Sequence, residues 1–272
     1  MVTLAAASWG TWSLFLRPTG LPATVTTPIV FAVMGLVALP FALRKPAPRW
    51  DRTTVALLLA NAAFDALNVA AFFTAMEYTE VAIAVLTHYV APILIAVAAP
   101  RIDGTSARGV APATAVALAG LVVVLQPWNV PADGALIGAA FGLTSAFCYA
   151  GNVFVVGRLA VRIGSARQMS YHALIAAALL SPLAFGRIHE VTSGDLALLV
   201  AGGATIGTAS GIVFVIGLLR VGSARTAVLT FAEPLVAVLI GAFVWGEPLH
   251  PLSILGGAMV LGAGIHVASK AR

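Results

Sequence analysis

The chain has 272 residues, of which 60% are hydrophobic and only 9% charged, and its mean hydropathy is +1.01. A soluble domain carries roughly a quarter charged residues, so the polar surface here is too small to cover a water-soluble globule and the excess must face lipid. The net charge of +5 would suggest nucleic acid in a soluble protein, but in a membrane protein it reflects Lys and Arg held on one side, and nucleic-acid binding is excluded. Cys148 is the single cysteine, which rules out an intrachain disulfide and a zinc site with several Cys ligands.

A helix needs about 20 apolar residues to cross the hydrocarbon layer. With breaks placed where charge, Pro and Gly cluster, the sequence predicts spans at about 2–16, 25–43, 54–75, 80–99, 110–126, 134–156, 168–186, 195–218, 226–245 and 252–268. The first residues lack a basic region ahead of the apolar stretch and read as a span, not a leader.

Charge supports ten spans. With the N-terminus in the cytoplasm, the inside loops hold Arg44, Lys45, Arg49, Arg52, Arg101, Arg108, Arg158, Arg162, Arg167, Arg220 and Arg225, and the tail adds Lys270 and Arg272. Outside are only Arg17 and Arg187. Removing or adding one helix would exchange the downstream loops and erase this bias. Both termini are therefore expected in the cytoplasm, in the cell membrane.

The two halves, 1–130 and 131–272, match at an offset near 142. Pro40 matches Pro182, Ala84-Val85-Leu86-Thr87 matches Ala227-Val228-Leu229-Thr230, Gly104 matches Gly246, and Gly120 matches Gly262. Five spans per half is an odd number, so the second repeat is inverted. Inverted repeats characterise secondary transporters, whose halves exchange conformations around a central site. The fold class expected is all-α integral membrane, with ten helices in two inverted five-helix repeats.

Several stretches resemble the drug/metabolite transporter superfamily, in particular its EamA-type members. They are Trp9-Gly10, Ala75-Met76-Glu77-Tyr78-Thr79, Thr87-His88-Tyr89-Val90-Ala91-Pro92, Phe231-Ala232-Glu233-Pro234 and Gly246-Glu247 with the Gly-rich last span. The resemblance implies transport of amino acids, their derivatives or related metabolites, often outward. Two departures stand out: Gly104-Thr105 replaces the family's Gly-Glu, and no Arg occurs between Ala23 and Leu43.

An ionisable residue within a span is costly and marks a candidate site. Asp65 and Glu233 qualify. Asn61, Asp65 and Asn68 fall at i, i+4 and i+7 on one helical face, with Asp65 read as binding a proton or cationic group and the amides as completing its shell. The competing reading is an interhelical hydrogen-bond cluster. Glu233 precedes Pro234, where a missing donor kinks the helix. His88 and Tyr89 occupy the equivalent stretch before Pro92, and Tyr149 and Asn152 are weaker candidates. Trp9 and Trp12, a turn apart, read as lining an aromatic pocket or as packing. Tyr171 and His172 lie near the start of their predicted span, where interfacial anchoring is expected.

Gly and Ala in the fifth, eighth and tenth spans predict close helix packing, and a homodimer through the fifth and tenth is a further expectation. No cofactor is expected: the Gly-x-Gly stretches follow no strand, and the five histidines show no metal-ligand spacing. The function expected is alternating-access transport of a small organic solute, with proton coupling in view. The alternatives, an intramembrane enzyme and a channel or scaffold, lack a catalytic set and a repeated polar filter.

Overall fold

The structure is a computed structural model that describes residues 1–44, 46, 48–104, 109–129, 134–248 and 250–269. Lys45, Thr105, Arg108, Lys270 and Arg272, used in the reading above, lie outside the described residues.

The described residues are helical nearly throughout and contain no strand. The helices are α1 (Val2–Trp9), α2 (Ser13–Leu16), α3 (Ala23–Leu43), α4 (Arg52–Tyr78), α5 (Val81–His88), α6 (Ala91–Ile102) and α7 (Val110–Leu125). The second half holds α8 (Ala135–Ile163), α9 (Ser165–Leu180), α10 (Ser193–Gly202), α11 (Ser210–Val221), α12 (Ser223–Leu229), α13 (Ala232–Val244) and α14 (Pro251–Ser269). Eight continuous stretches are long and apolar enough to cross a membrane. The other two predicted spans are built from shorter pieces. α1 and α2 are separated by a turn at Gly10–Trp12, and α9 runs for 16 residues before a 3-10 turn at Ser181–Ala184.

Two spans break at matching places. α5 passes to α6 through Tyr89 and Val90, and α12 passes to α13 through Thr230 and Phe231. The cause is local. Pro92 and Pro234 each lack the N–H that would continue the preceding helix, so the chain closes 3-10-type bonds instead, Val90 N–H to Thr87 O and Glu233 N–H to Thr230 O. A third span widens to a π-helix at Gly203–Ala209, between α10 and α11. There Thr208 Oγ1 donates to Gly203 O at 2.9 Å, and Gly207 lies against Met34 of α3.

The principal packing pairs join the two halves: α3 with α9, α4 with α8, α7 with α14, α6 with α12, and α1 with both α11 and α13. α5 also packs on α8, so α8 meets α4 and α5 while α1 meets α11 and α13. Small residues permit the contacts. At the α7–α14 crossing a side chain on Gly120 would meet Gly256 O at 2.6 Å, and Ser253 Oγ donates to Val124 O at 3.1 Å. On α3, Gly35 lies under Leu174 of α9 and its carbonyl accepts from Ser170 Oγ at 2.8 Å.

Contacts at the two ends agree with an up-and-down course. At one end, hereafter the basic end, Arg162 pairs with Asp51 at 3.1 Å, Arg158 donates to Ile102 O at 2.6 Å, Arg167 to Ala42 O at 2.8 Å and Ser223 to Asp103. Asp51 also caps α4 through Thr54 N–H, and that bond together with Arg162 holds its carboxyl below the usual range. At the other end Arg17 pairs with Glu247 at 2.7 Å and lies over the Trp245 ring. Trp245 Nε1 donates to Ser13 Oγ at 3.1 Å.

Candidate functional site

The polar stripe of α4 points into the bundle, as a polar face must when its outer neighbour is lipid. Asn61 and Asn68 are buried, and Asp65 keeps a side-chain exposure of 21%. The three side chains reach two different neighbours. Asn61 Nδ2 donates to Asn152 Oδ1 of α8 at 2.7 Å, and Asn61 Oδ1 accepts from Gln168 Nε2 of α9 at 2.8 Å. Asn68 Oδ1 accepts from Ser145 Oγ of α8 at 2.7 Å. The amides therefore do not form a shell about Asp65, because buried partners on α8 and α9 take them up. Asp65 Oδ2 instead meets His172 Nε2 at 3.0 Å.

His172 corrects the sequence reading. α9 begins at Ser165, just after Gly164 at φ +84°, so His172 lies about two turns into the helix. It is buried, with Phe31 of α3 edge-on at 6.4 Å, and it is no interfacial anchor. Tyr171, on the next face, stacks at 5.9 Å on Trp50, which is 45% exposed.

His88 ends α5 at the helix break. Its Nδ1 lies 2.8 Å from Ser145 Oγ, whose hydrogen is already given to Asn68. Nδ1 must therefore be the donor, which leaves Nε2 as the ring's acceptor when the ring is neutral. Around the imidazole stand Phe72 at 5.0 Å, Tyr89 at 5.4 Å and Tyr149 at 5.5 Å.

Glu233 sits in the first turn of α13, just past the other break. Its carboxyl is hydrogen-bonded by the Tyr89 hydroxyl and lies within electrostatic reach of Tyr149. Tyr149 also senses Asp65 and is hydrogen-bonded with Thr230. Both acids thus lie within electrostatic reach of the Tyr149 phenol. Phe231 packs on Tyr89 at 5.3 Å. Gly10, just past α1, passes close by the Glu233 backbone, where a side chain would meet Val236 Cβ at 2.8 Å and Ala237 N at 2.9 Å. Trp9 packs on Phe214 at 4.8 Å within the apolar core, and Trp12 rests on Gly202 of α10.

One zone between the halves thus gathers Asn61, Asp65, Asn68, His88, Tyr89, Tyr149, Asn152 and Glu233, and it sets Trp9 and Trp12 on packing surfaces. Sequence reasoning passed over Ser145, Gln168, Phe72 and Phe231. Gln168 and His172 did carry a signal, because they repeat on α9 the i, i+4 spacing of Asn61 and Asp65. Among the described residues no three His, Cys, Asp or Glu side chains group as a metal site.

A cavity of about 500 Å³ opens at the basic end between α4, α8 and the α11–α12 bend. Thr53, Asp103, Arg158, Arg162 and Ser223 line its mouth, and Val153, next to Asn152, lies among its lining residues. Neither Asp65 nor Glu233 lines it.

Apolar spans around an enclosed zone of carboxyl, imidazole, phenol and amide groups, with helices broken beside two of those groups, are the build of a membrane transporter. Comparison with known proteins agrees. The profile of the EamA-like transporter family matches residues 136–268. An uncharacterized transporter of Archaeoglobus fulgidus is 32% identical over 270 residues, covering 98% of this chain and 94% of the relative. The uncharacterized transporter YcbK of Bacillus subtilis is 30% identical over 146 residues, covering 50% of this chain and 47% of that one. A solved crystal structure superposes with a TM-score of 0.83 at 20% identity, covering all of this chain and 97% of the other, a likeness of fold. The chain belongs to the EamA-like transporter family, within the drug/metabolite transporter superfamily.

Proposed function

We propose that the chain is a secondary active transporter that exports a small organic solute, of the amino acid or related metabolite class, by alternating access. It crosses the cell membrane ten times with both termini in the cytoplasm. The observation that carries this reading is the convergence of Asp65, His88, Tyr89, Tyr149 and Glu233 from both halves at two helix breaks. Packing contacts that join the two halves, α4 and α5 with α8 and α11 and α13 with α1 among them, support a rocking motion. The collection of Arg side chains at the end that also holds Met1 supports the orientation. No Lys or Arg lies deep in a described span, so the two acids favour a solute bearing a positive group.

The test is counterflow in proteoliposomes loaded with L-phenylalanine, L-threonine or L-lysine. Exchange of external radiolabelled solute is expected for at least one of the three. No exchange, together with a melting temperature unmoved by amino acids, polyamines and aromatic metabolites, would defeat the reading.

A further inference from the structure

The contact between Asp65 and His172 constrains where protons lie. His172 Nδ1 is 2.9 Å from the backbone carbonyl of Gln168. A carbonyl only accepts, so Nδ1 carries a hydrogen. With Nδ1 protonated, the 3.0 Å approach of Nε2 to Asp65 Oδ2 needs a second proton on that line. Without it, a nitrogen lone pair would face a carboxylate oxygen inside the bundle, where repulsion is poorly screened. The close contact therefore holds one exchangeable proton, whether drawn as imidazolium with carboxylate or as neutral ring with carboxylic acid.

The same contact joins the two halves. α4 belongs to the first and α9 to the second, and the helices touch through two rungs spaced i, i+4 on each. One rung is Asn61 with Gln168 at 2.8 Å, made of amides that do not titrate. The other is Asp65 with His172. Access is uneven across it: His172 is 4% exposed and Asp65 21%, so the proton enters and leaves through Asp65.

We infer that the Asp65–His172 pair is the proton-binding site of the transport cycle and acts as a proton-dependent clasp between the halves, an inference that rests on the transporter reading above. Loaded, the clasp is shut. When water takes the shared proton, Nδ1–H still donates to Gln168 O, the Nε2 lone pair faces a carboxylate, and the contact opens while the Asn61–Gln168 rung stays as a pivot. The pair then carries one net negative charge facing the zone that holds Tyr149, which a positively charged solute offsets.

Other ionisable groups leave this assignment intact. α3 has none over its whole length. On α8, Tyr149 faces Asp65, Cys148 is buried, and Arg158 and Arg162 are held at the basic end. The His88 ring of α5 is bonded to Ser145, which is bonded to Asn68. Glu233 of α13 is hydrogen-bonded by Tyr89, Arg167 of α9 binds Ala42 O, Tyr171 stacks on Trp50, and Arg220 of α11 is at Met1.

One competing arrangement exists. Gln168 Nε2 is 3.2 Å from His172 Nδ1 and can donate to it if the ring changes tautomer, which would keep Nε2–H on Asp65 and leave the clasp shut. The experiment separates the two: ¹⁵N-histidine-labelled protein in lipid nanodiscs, followed by NMR from about pH 5 to 9, with His172→Asn to assign the ring. The clasp predicts that Nδ1 stays protonated throughout and that Nε2 becomes bare at high pH. An Nε2–H tautomer with bare Nδ1 at high pH overturns it, as does a ring that never changes state. Asp65→Asn supplies an amide donor that keeps Nε2 bonded at every pH, so its ring signals should not move. In proteoliposomes the same variant should lose uptake of the counterflow solute driven by a pH gradient while keeping the melting temperature of the solute-free protein. Gradient-driven uptake at the unsubstituted rate in Asp65→Asn also overturns the clasp. Failure of counterflow by the unsubstituted protein sinks the transporter reading instead, and leaves the NMR result to stand by itself.

Discussion

Asp65 and Glu233 are both carboxyls within apolar spans, one in each half, yet the protein surrounds them differently. Asp65 has a base, His172, across the interface between the halves. Glu233 has a phenol, Tyr89, and aromatic rings, and none of the ion pairs among the described residues includes it. A carboxyl with a built-in base already has its counter-charge and is suited to a proton. A carboxyl bonded by a phenol, with no ion pair among the described residues, would take a cation only from outside. The lesson is that two acids at comparable depth need not share a role, and that the partner on the facing helix separates them.

The division is most directly broken at Glu233. Glu233→Gln removes the acid and should slow counterflow by about 30-fold or more, the scale for losing one partner of a buried charge contact. The amount of protein in the membrane should not change. Tyr89→Phe, which removes one hydrogen bond to that acid, should cost about 10-fold. Full counterflow in Glu233→Gln would move solute binding elsewhere.

Stability should respond at the Asp65 end instead. Asn61 is fully buried and bonded on both sides, so Asn61→Ala leaves Asn152 and Gln168 short of partners. Each orphaned group costs about 1–3 kcal/mol, and a lower melting temperature in detergent is the expected sign. An unchanged melting temperature would mean that the amide rung does not hold α4 to α9. The smallest effect is expected far from both acids. Arg17 and Glu247 are each 53% exposed, and such pairs contribute little, so Arg17→Gln should leave melting temperature and counterflow alike. A clear loss of counterflow there would show that this end of the bundle takes part in gating.

Much of this was legible in the sequence, for physical reasons that can be named. Asp65 and Glu233 stand out because an acid in an apolar run has few explanations, and Pro92 and Pro234 announce the two breaks because a missing N–H acts locally. His172 was misread because the predicted span began at 168. Gly164 starts the helix earlier, and three residues of error moved the imidazole from the core to the interface. The π-turn at Gly203–Ala209 was hidden because its cause, the fit of Gly203 and Gly207 against Val33 and Met34, lies in the other half of the chain. The turn after α1 escaped for a similar reason, since Gly10 passes against α13. The pairing of α4 with two different neighbours could not be read from a helical wheel, which gives the face and not what it meets.

The lengths of α4 and α8 carry a consequence of their own. At 27 and 29 residues and about 1.5 Å per residue, each is roughly 40 Å long, well over the roughly 30 Å of hydrocarbon it crosses. The pair must lean or protrude, and its lean is set partly by the lipid. These helices hold Asn61, Asp65, Asn68, Ser145, Tyr149 and Asn152. Acyl-chain length therefore becomes a dial on the geometry of the polar zone, and the same chain should work at different rates in thin and thick bilayers.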